Sequence, residues 1–538
     1  MSHPSPPTFL IGCGSAAAQA PSLNDMGVKA YNLWRMERIG LPVPPAFTLG
    51  TGFCRDYFRH GAKPMPGLRD LLAARMRDLE RASGLSFGGA RLPLLVSVRS
   101  GAPVSMPGMM ETVLNVGLSD AAVPGLLRLT GNPRLIWDSY RRLVQSFGEV
   151  VHQIAPAEFD AALAARLDEA GQSIAGELDF QSLRRLTRDF LEVFERGAGK
   201  PFPQGPLDQL EAAVIAVFRS WNGAKAVEYR RMNALPDDLG TAVTVQRMIY
   251  GNAGGTSGAG VAFTRDPATG ESTLYLDFSF NAQGEDVVSG RCSASDGERL
   301  ATFLPQVHAN IVRVSKLLEQ EFADMQEFEF TVQDAKLYLL QTRAGKRMPW
   351  AALRIAVEQL DTGLIGPEEA KARLAGIDLA RIERKRVAGG GAARRLAHAT
   401  SAGIGVAIGE IALDSERAQE IARAGRRAIL VRDGTLTDDI KGIAAADGIL
   451  TATGGRTSHA AVVARQLGKV CLVGCDALAI DLAQRRCAFA GEWLAEGDVL
   501  SLDGLAGEVY AGAVEVLTER PIEYLERATR LLETARAA

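Results

Sequence analysis

Gly454-Gly455-Arg456-Thr457-Ser458-His459-Ala460-Ala461-Val462-Val463-Ala464-Arg465 follows an apolar run, Gly448 to Thr453, that reads as a buried strand. Strand, glycine turn and apolar-periodic helix in that order place His459 at a helix start within a compact α/β module. Unpaired backbone N–H groups and the positive end of the helix dipole favour an anion there. Free imidazole titrates near ~6.5, so much of it is neutral and nucleophilic at neutral pH. Gly454 and Gly455 permit a tight turn, and Thr457 and Ser458 can cap the helix or bond phosphate oxygens. The segment suits a phosphate carrier. It also describes a capped helix start whose histidine only packs.

The chain around this segment has 538 residues and 47% apolar content, enough for two to four domains with sizeable cores. Its 60 basic and 63 acidic residues give no charge argument for nucleic acid or an anionic membrane surface, and neither is expected as a partner. No apolar run approaches the length of about 18 residues that a membrane helix needs, and the start lacks a charged leader segment, so the expectation is cytoplasmic. Six cysteines are too sparse for a disulfide framework. Cys471 and Cys475 lack a second pair for a zinc site and read as small buried side chains.

Upstream, five stretches carry candidate chemistry. Asn24-Asp-Met-Gly-Val-Lys29 reads as a glycine turn into a helix with Leu33, Met36 and Ile39 inward, followed by the proline-fixed Gly40-Leu-Pro-Val-Pro-Pro. Leu92 to Val98 is a strand ending in Arg99, whose planar fork suits phosphate oxygens, although a surface arginine looks the same. About 120–235 is helical, and Arg141 and Arg142 there read as a solvated face. Thr241 to Tyr250, the glycine-rich 251–260 and Val261-Ala-Phe read together as a hairpin with a long tip that can lie over a triphosphate. In Gln326-Glu327-Phe328-Glu329 and Leu340-Gln341-Thr342-Arg343, strand period two puts Glu327 with Glu329 and Gln341 with Arg343. Carboxylates facing an arginine suit Mg-ATP, as they suit a salt-bridged surface hairpin.

Taken as strings, Gly454 to Arg465, Val98-Arg99-Ser-Gly-Ala-x-x-Ser-Met-Pro-Gly-Met-Met-Glu111-Thr, Gly251 to Gly260 and Asn281-Ala-Gln-Gly-Glu285-Asp resemble the pyruvate phosphate dikinase and phosphoenolpyruvate synthase family, and the dikinases more closely. The resemblance runs from about residue 22 to 515. It implies an ATP-grasp nucleotide domain in which Lys29, Arg99, Glu285, Glu327, Glu329, Gln341 and Arg343 bind ATP, with Mg²⁺ on Glu327 and Glu329. Lys29, Arg99, Arg343 and His459 are its implied catalytic residues. ATP would pass its β and γ phosphates to His459 and release AMP. Inorganic phosphate, or water, would take the γ group, and the phosphohistidine would swing to an acceptor. The sequence departs from the family pattern at Met26-Gly27-Val28-Lys29, usually Gly-Gly-Lys, at Pro103, usually a second arginine, and at Glu327, usually Asp.

The implied fold class is α/β, of α+β multidomain type. It comprises an ATP-grasp domain over 1–345 with a helical insertion at about 120–235 and a helical, Gly-rich linker over 346–395 with a joint near Gly389 to Gly391. A swivelling phosphohistidine domain follows over 396–515, then a C-terminal helix over 516–538. In this family pyruvate is handled by a further barrel of about 250 residues, and no segment here can house one. A separate pyruvate-binding barrel subunit, another small-molecule acceptor, a nucleotide-binding regulator without turnover, and a homo-oligomer all stay open on sequence grounds.

Overall fold

Val243, Thr244 and Val245 are all β-branched and fit a pleated, buried surface, and Ala242–Arg247 forms the middle strand of a five-stranded sheet. The computed structural model describes residues 6–14, 21–104, 106, 110–288, 297–388, 394–434, 439–455 and 458–533. They fall into two compact units, Met1–Ala253 with Tyr338–Gln341, and Gly254–Leu337 with Thr342–Ala538.

In the first unit the sheet runs Thr8–Ile11, Ala46–Leu49, Ala242–Arg247, Val96–Gly101, Thr112–Val116, all antiparallel. The stretch expected to be helical is helical. Phe180–Ala198 illustrates the cause: Leu183, Leu186, Phe190 and Phe194 repeat at helical spacing and are all buried. Asp179 caps its start by accepting from the Ser182 amide at 2.7 Å, and Gly199, with φ 67°, ends it. The expectation of a solvated Arg141 and Arg142 is corrected. Both reach back one turn to Asp138, at 2.6 and 2.9 Å, and Asp138 and Arg141 are 4% and 6% exposed. Burial pushes the Asp138 carboxyl up, and the two guanidinium groups more than reverse this, holding it below its ordinary value.

The second unit opens with a four-stranded antiparallel sheet ordered Lys336–Ala344, Gln326–Gln333, Gly258–Phe263, Tyr275–Phe280. This overturns the hairpin expected across the glycine-rich stretch, because Ala242–Arg247 and Gly258–Phe263 belong to different sheets. Gly258 and Gly260 are strand residues. A Cβ at either would lie 2.1 Å from the Phe278 ring or 2.4 Å from the Phe330 ring, so these glycines make room for a stacked pair of rings whose centroids are 5.9 Å apart.

The linker expected over 346–395 is packed through most of its described length. Helices Pro349–Asp361 and Pro367–Leu374 share a core with the terminal helix Ile522–Glu533 through Leu353, Val357, Leu374, Ile382, Leu525 and Ala528. The basic run ending in Arg386 is the strand Arg384–Val387, paired antiparallel with Val516–Glu519, and Glu519 takes ion pairs from Arg384 and Arg386. The segment 516–538 thus begins as a strand, and only its later part is the expected helix. Gly389 to Gly391 lie outside the described residues.

An eight-stranded sheet forms the last module, ordered Arg395–His398, Glu508–Ala511, Val499–Asp503, Val406–Ala412, Ala428–Arg432, Gly448–Thr451, Val470–Val473, Thr400–Gly403. Four adjacent strands, from Val406–Ala412 to Val470–Val473, are parallel and joined through short helices, as the alternation of small residues and short apolar runs suggests. Cys471 and Cys475 are buried as expected, and burial pushes the Cys471 thiol up to about 12. Among the described residues no helix is long and apolar enough to cross a membrane.

A buried ionic network holds the second unit's helices to its first sheet. Arg265, 7% exposed, donates to Glu319 at 2.7 Å and Glu358 at 2.5 Å, and Glu358 also receives Arg354 at 2.7 Å and the Tyr524 hydroxyl at 3.0 Å. Burial raises the Glu358 carboxyl, and these donors outweigh it, leaving the group below its ordinary value. A folded-state pKa depressed in this way contributes stability that is full above the unfolded value, about 4.3, and is lost as pH falls through the folded value. Glu358→Gln is expected to destabilise the protein by roughly 2 kcal/mol at pH 7, the scale of a lost charged hydrogen bond. Urea unfolding should show that difference shrink below about pH 4, and an equal difference at both pH values would contradict the assignment.

Candidate active site

The strand Gly448–Thr451 ends beneath a turn in which Gly454 has φ 104°, a conformation open to glycine. Ser458 then caps the helix His459–Gln466, its side chain accepting from the Ala461 amide at 3.4 Å and its carbonyl from Val462 at 2.9 Å. His459 is the first helical residue. The helix can start there because Ala460, Ala461 and Ala464 present a flat face to Ile443, Cys471 and Val473. Arg456, Thr457 and the His459 side chain lie outside the described residues. Arg432 is 3.7 Å from Asp439 and donates to the Leu413 carbonyl at 3.1 Å. It pairs in register with Thr451, one strand away from the turn that leads to His459.

The nucleotide candidates form two groups. In the first unit Gly27 has φ 72° and breaks the helix Leu23–Arg38, and a Cβ there would lie 1.9 Å from the Gly101 carbonyl oxygen. Val28 donates to the Ala102 carbonyl at 2.9 Å. This close approach brings Lys29 against the end of the strand Val96–Gly101 that carries Arg99. The departure from Gly-Gly-Lys therefore keeps a glycine at the position whose backbone demands one. Arg99 in turn donates to the Gln341 side chain at 3.2 Å and to the Leu340 carbonyl at 3.4 Å.

In the second unit Arg343 donates to Glu327 at 2.5 Å, and Glu327 is 8% exposed. Burial alone would lower the Arg343 pKa, but Glu327 and Glu329 raise it, so the guanidinium stays charged. Glu327 and Glu329 lie on the same face of their strand, as period two requires, in register with Phe263 and Val261. Asp277 continues the second of these rows, opposite Val261, and is 2% exposed. The sequence reading did not single it out; its signal was the alternation in Tyr275-Leu276-Asp277-Phe278. Glu285 falls in the helix Gly284–Val288, and its side chain lies outside the described residues. Among the described residues no three acidic, His or Cys side chains converge as a protein-only metal cage. Two carboxylates on one face are still the donor set a magnesium ion uses when phosphate oxygens complete its shell.

Residues 63–298 match the pyruvate phosphate dikinase AMP/ATP-binding domain, and 425–507 match the mobile domain of PEP-utilising enzymes. Arg99 and Glu285 fall in the first range and His459 in the second, whereas Lys29, Glu327, Glu329, Gln341 and Arg343 lie outside both. The chain is similar to pyruvate, phosphate dikinase of Clostridium symbiosum, 43% identical over 91% of this chain and 57% of that protein. It is 40% identical to the Rhizobium meliloti (strain 1021) protein of that name over 95% of this chain and 58% of the relative. The chloroplastic protein of Flaveria pringlei is 41% identical over 94% of this chain and 53% of its own length. The chain thus spans little more than half the length of the curated relatives it matches. Helices and several sheets in one chain agree with the α/β multidomain class that its sequence implies. The chain thus carries both a pyruvate phosphate dikinase AMP/ATP-binding domain and a mobile domain of PEP-utilising enzymes, in that order along the sequence.

Proposed function

We propose that the chain is an ATP-dependent phosphotransferase of the dikinase type, with His459 as the residue that carries phosphate. The observation that carries this reading is the coexistence of a capped helix beginning at His459 and a charged pair, Glu327 with Arg343, held on a neighbouring sheet of the same unit. In this reading a ring nitrogen of His459 attacks the β phosphorus of ATP. The bond from that phosphorus to the α-phosphate bridging oxygen breaks, and AMP departs with the electron pair. The γ group passes to inorganic phosphate, giving pyrophosphate, or to water, and the β phosphoryl remains on the histidine.

Lys29 and Arg99 are proposed to bind the triphosphate, with Gln341 orienting the Arg99 fork through their 3.2 Å hydrogen bond. Arg343 offsets charge that develops in transfer, and Glu327 keeps it oriented and ionised. Glu285 is proposed as a further nucleotide contact. Glu327 and Glu329 would hold Mg²⁺, which supplies charge neutralisation on the phosphates. The acceptor proposed is pyruvate, the word printed in the relatives' name, with its site supplied beyond the domains described above. The domain plan is proposed as a nucleotide-binding part, a packed helical connection, and a mobile part carrying His459.

ATP labelled at the β phosphorus should leave an acid-labile label on the protein, and His459→Ala should abolish it. A wild-type protein that binds ATP yet takes up no label would sink the proposal. Arg343→Ala is expected to slow single-turnover labelling roughly 100- to 1000-fold, with a smaller change in ATP affinity. A loss of affinity with the labelling rate intact would reassign Arg343 to ground-state binding.

A further inference from the structure

Tyr275, Phe263 and Glu327 form one cross-strand row: Phe263 lies directly opposite Tyr275 on one side and Glu327 on the other. Directly opposed residues of antiparallel strands project from the same face. The row therefore has an aromatic end, Tyr275 with Phe263, and a charged end, Glu327 with its partner Arg343.

The histidine module is seated on the aromatic end. The Arg465 guanidinium lies 5.3 Å from the Phe263 ring centroid, and its Nε donates to the Ala402 carbonyl at 3.4 Å. The Tyr275 hydroxyl donates to the Ser401 carbonyl at 2.9 Å. Ser401 and Ala402 belong to Thr400–Gly403, the edge strand of the eight-stranded sheet. An edge strand has carbonyls that its own sheet leaves unused, and Tyr275 occupies one of them. Phe263, Arg465 and Tyr275 are 1%, 4% and 8% exposed, so the seat is closed to water.

Arg465 is also on the same helix as His459, six residues on, which at 1.5 Å per residue is about 9 Å along the axis. Fixing one end of so short a helix fixes the direction of the other. We propose that Arg465 and Tyr275 are positioning residues that seat the His459 helix on the face of the sheet that carries Glu327 and Arg343, in the orientation from which phosphate is accepted. This rests on the phosphotransferase reading for its consequence, and on the contacts alone for the seat.

The test uses Arg465→Met, which keeps length and removes charge, Arg465→Lys, which restores a cation over the ring, and Tyr275→Phe, which removes one oxygen. Two measurements are made on the full chain: single-turnover labelling from β-labelled ATP together with ATP affinity, and amide hydrogen exchange across residues 261–280 and 400–403. The expected result is tenfold or slower labelling in Arg465→Met and Tyr275→Phe, partial recovery in Arg465→Lys, unchanged ATP affinity, and faster exchange confined to those two segments. Labelling within twofold of wild type in both Arg465→Met and Tyr275→Phe overturns the positioning role, as does a parallel loss of ATP affinity. Unchanged exchange in both variants overturns the seat itself. If wild type takes no label while exchange responds as described, the seat stands and the phosphotransferase reading is the part that fails.

Discussion

Two glycines under two rings set the geometry on which the candidate site depends. Gly258 and Gly260 leave room for the Phe278 and Phe330 rings on one face of the four-stranded sheet. Because strand side chains alternate, that choice hands the opposite face to the intervening residues: Val261 and Phe263, and through register Tyr275, Asp277, Glu327 and Glu329. One face is therefore an apolar packing surface and the other collects carboxylates, an arginine and an aromatic seat. A one-residue slip in any of these strands would exchange the two.

The local parts of this arrangement were legible in the sequence, and the non-local parts were not. The start of the helix at His459 is written in consecutive residues, a glycine turn, a serine cap and a small-residue face, so reading along the chain suffices. The shared face of Glu327 and Glu329 follows from period two alone. What failed was pairing. The glycine-rich stretch after Tyr250 has the composition of a long hairpin tip, yet its later glycines are strand residues, because the rings that require them come from elsewhere in the chain. Asp138 with Arg141 failed for a similar reason: an i, i+3 ion pair looks the same on a wet face and a buried one until the neighbouring strand is known. At Lys29, the reason the turn tolerates Met26 and Val28, a backbone approach to Gly101, is invisible in a linear reading.

Two candidate arginines, one in each unit, are oriented by different acceptors. In the first, Arg99 donates to the Gln341 side chain and the Leu340 carbonyl, which help to orient its fork. In the second, Arg343 is matched by Glu327 and lies near Glu329, and it stays ionised because they outweigh the cost of burial. An arginine paired with a carboxylate in this way is held in place and gains electrostatic weight when that carboxylate is engaged by something else.

Val387 and Val516 are cross-strand partners, so the chain leaves the packed helical region and returns to it at nearly the same point, roughly 5 Å apart between Cα atoms. Topologically, everything from 388 to 515 is an insertion into a body that closes without it. Its own sheet and its own core give it the attributes of a cassette. Its entry and exit lie side by side on one pair of strands, so the module is tethered to its host through a single doorway.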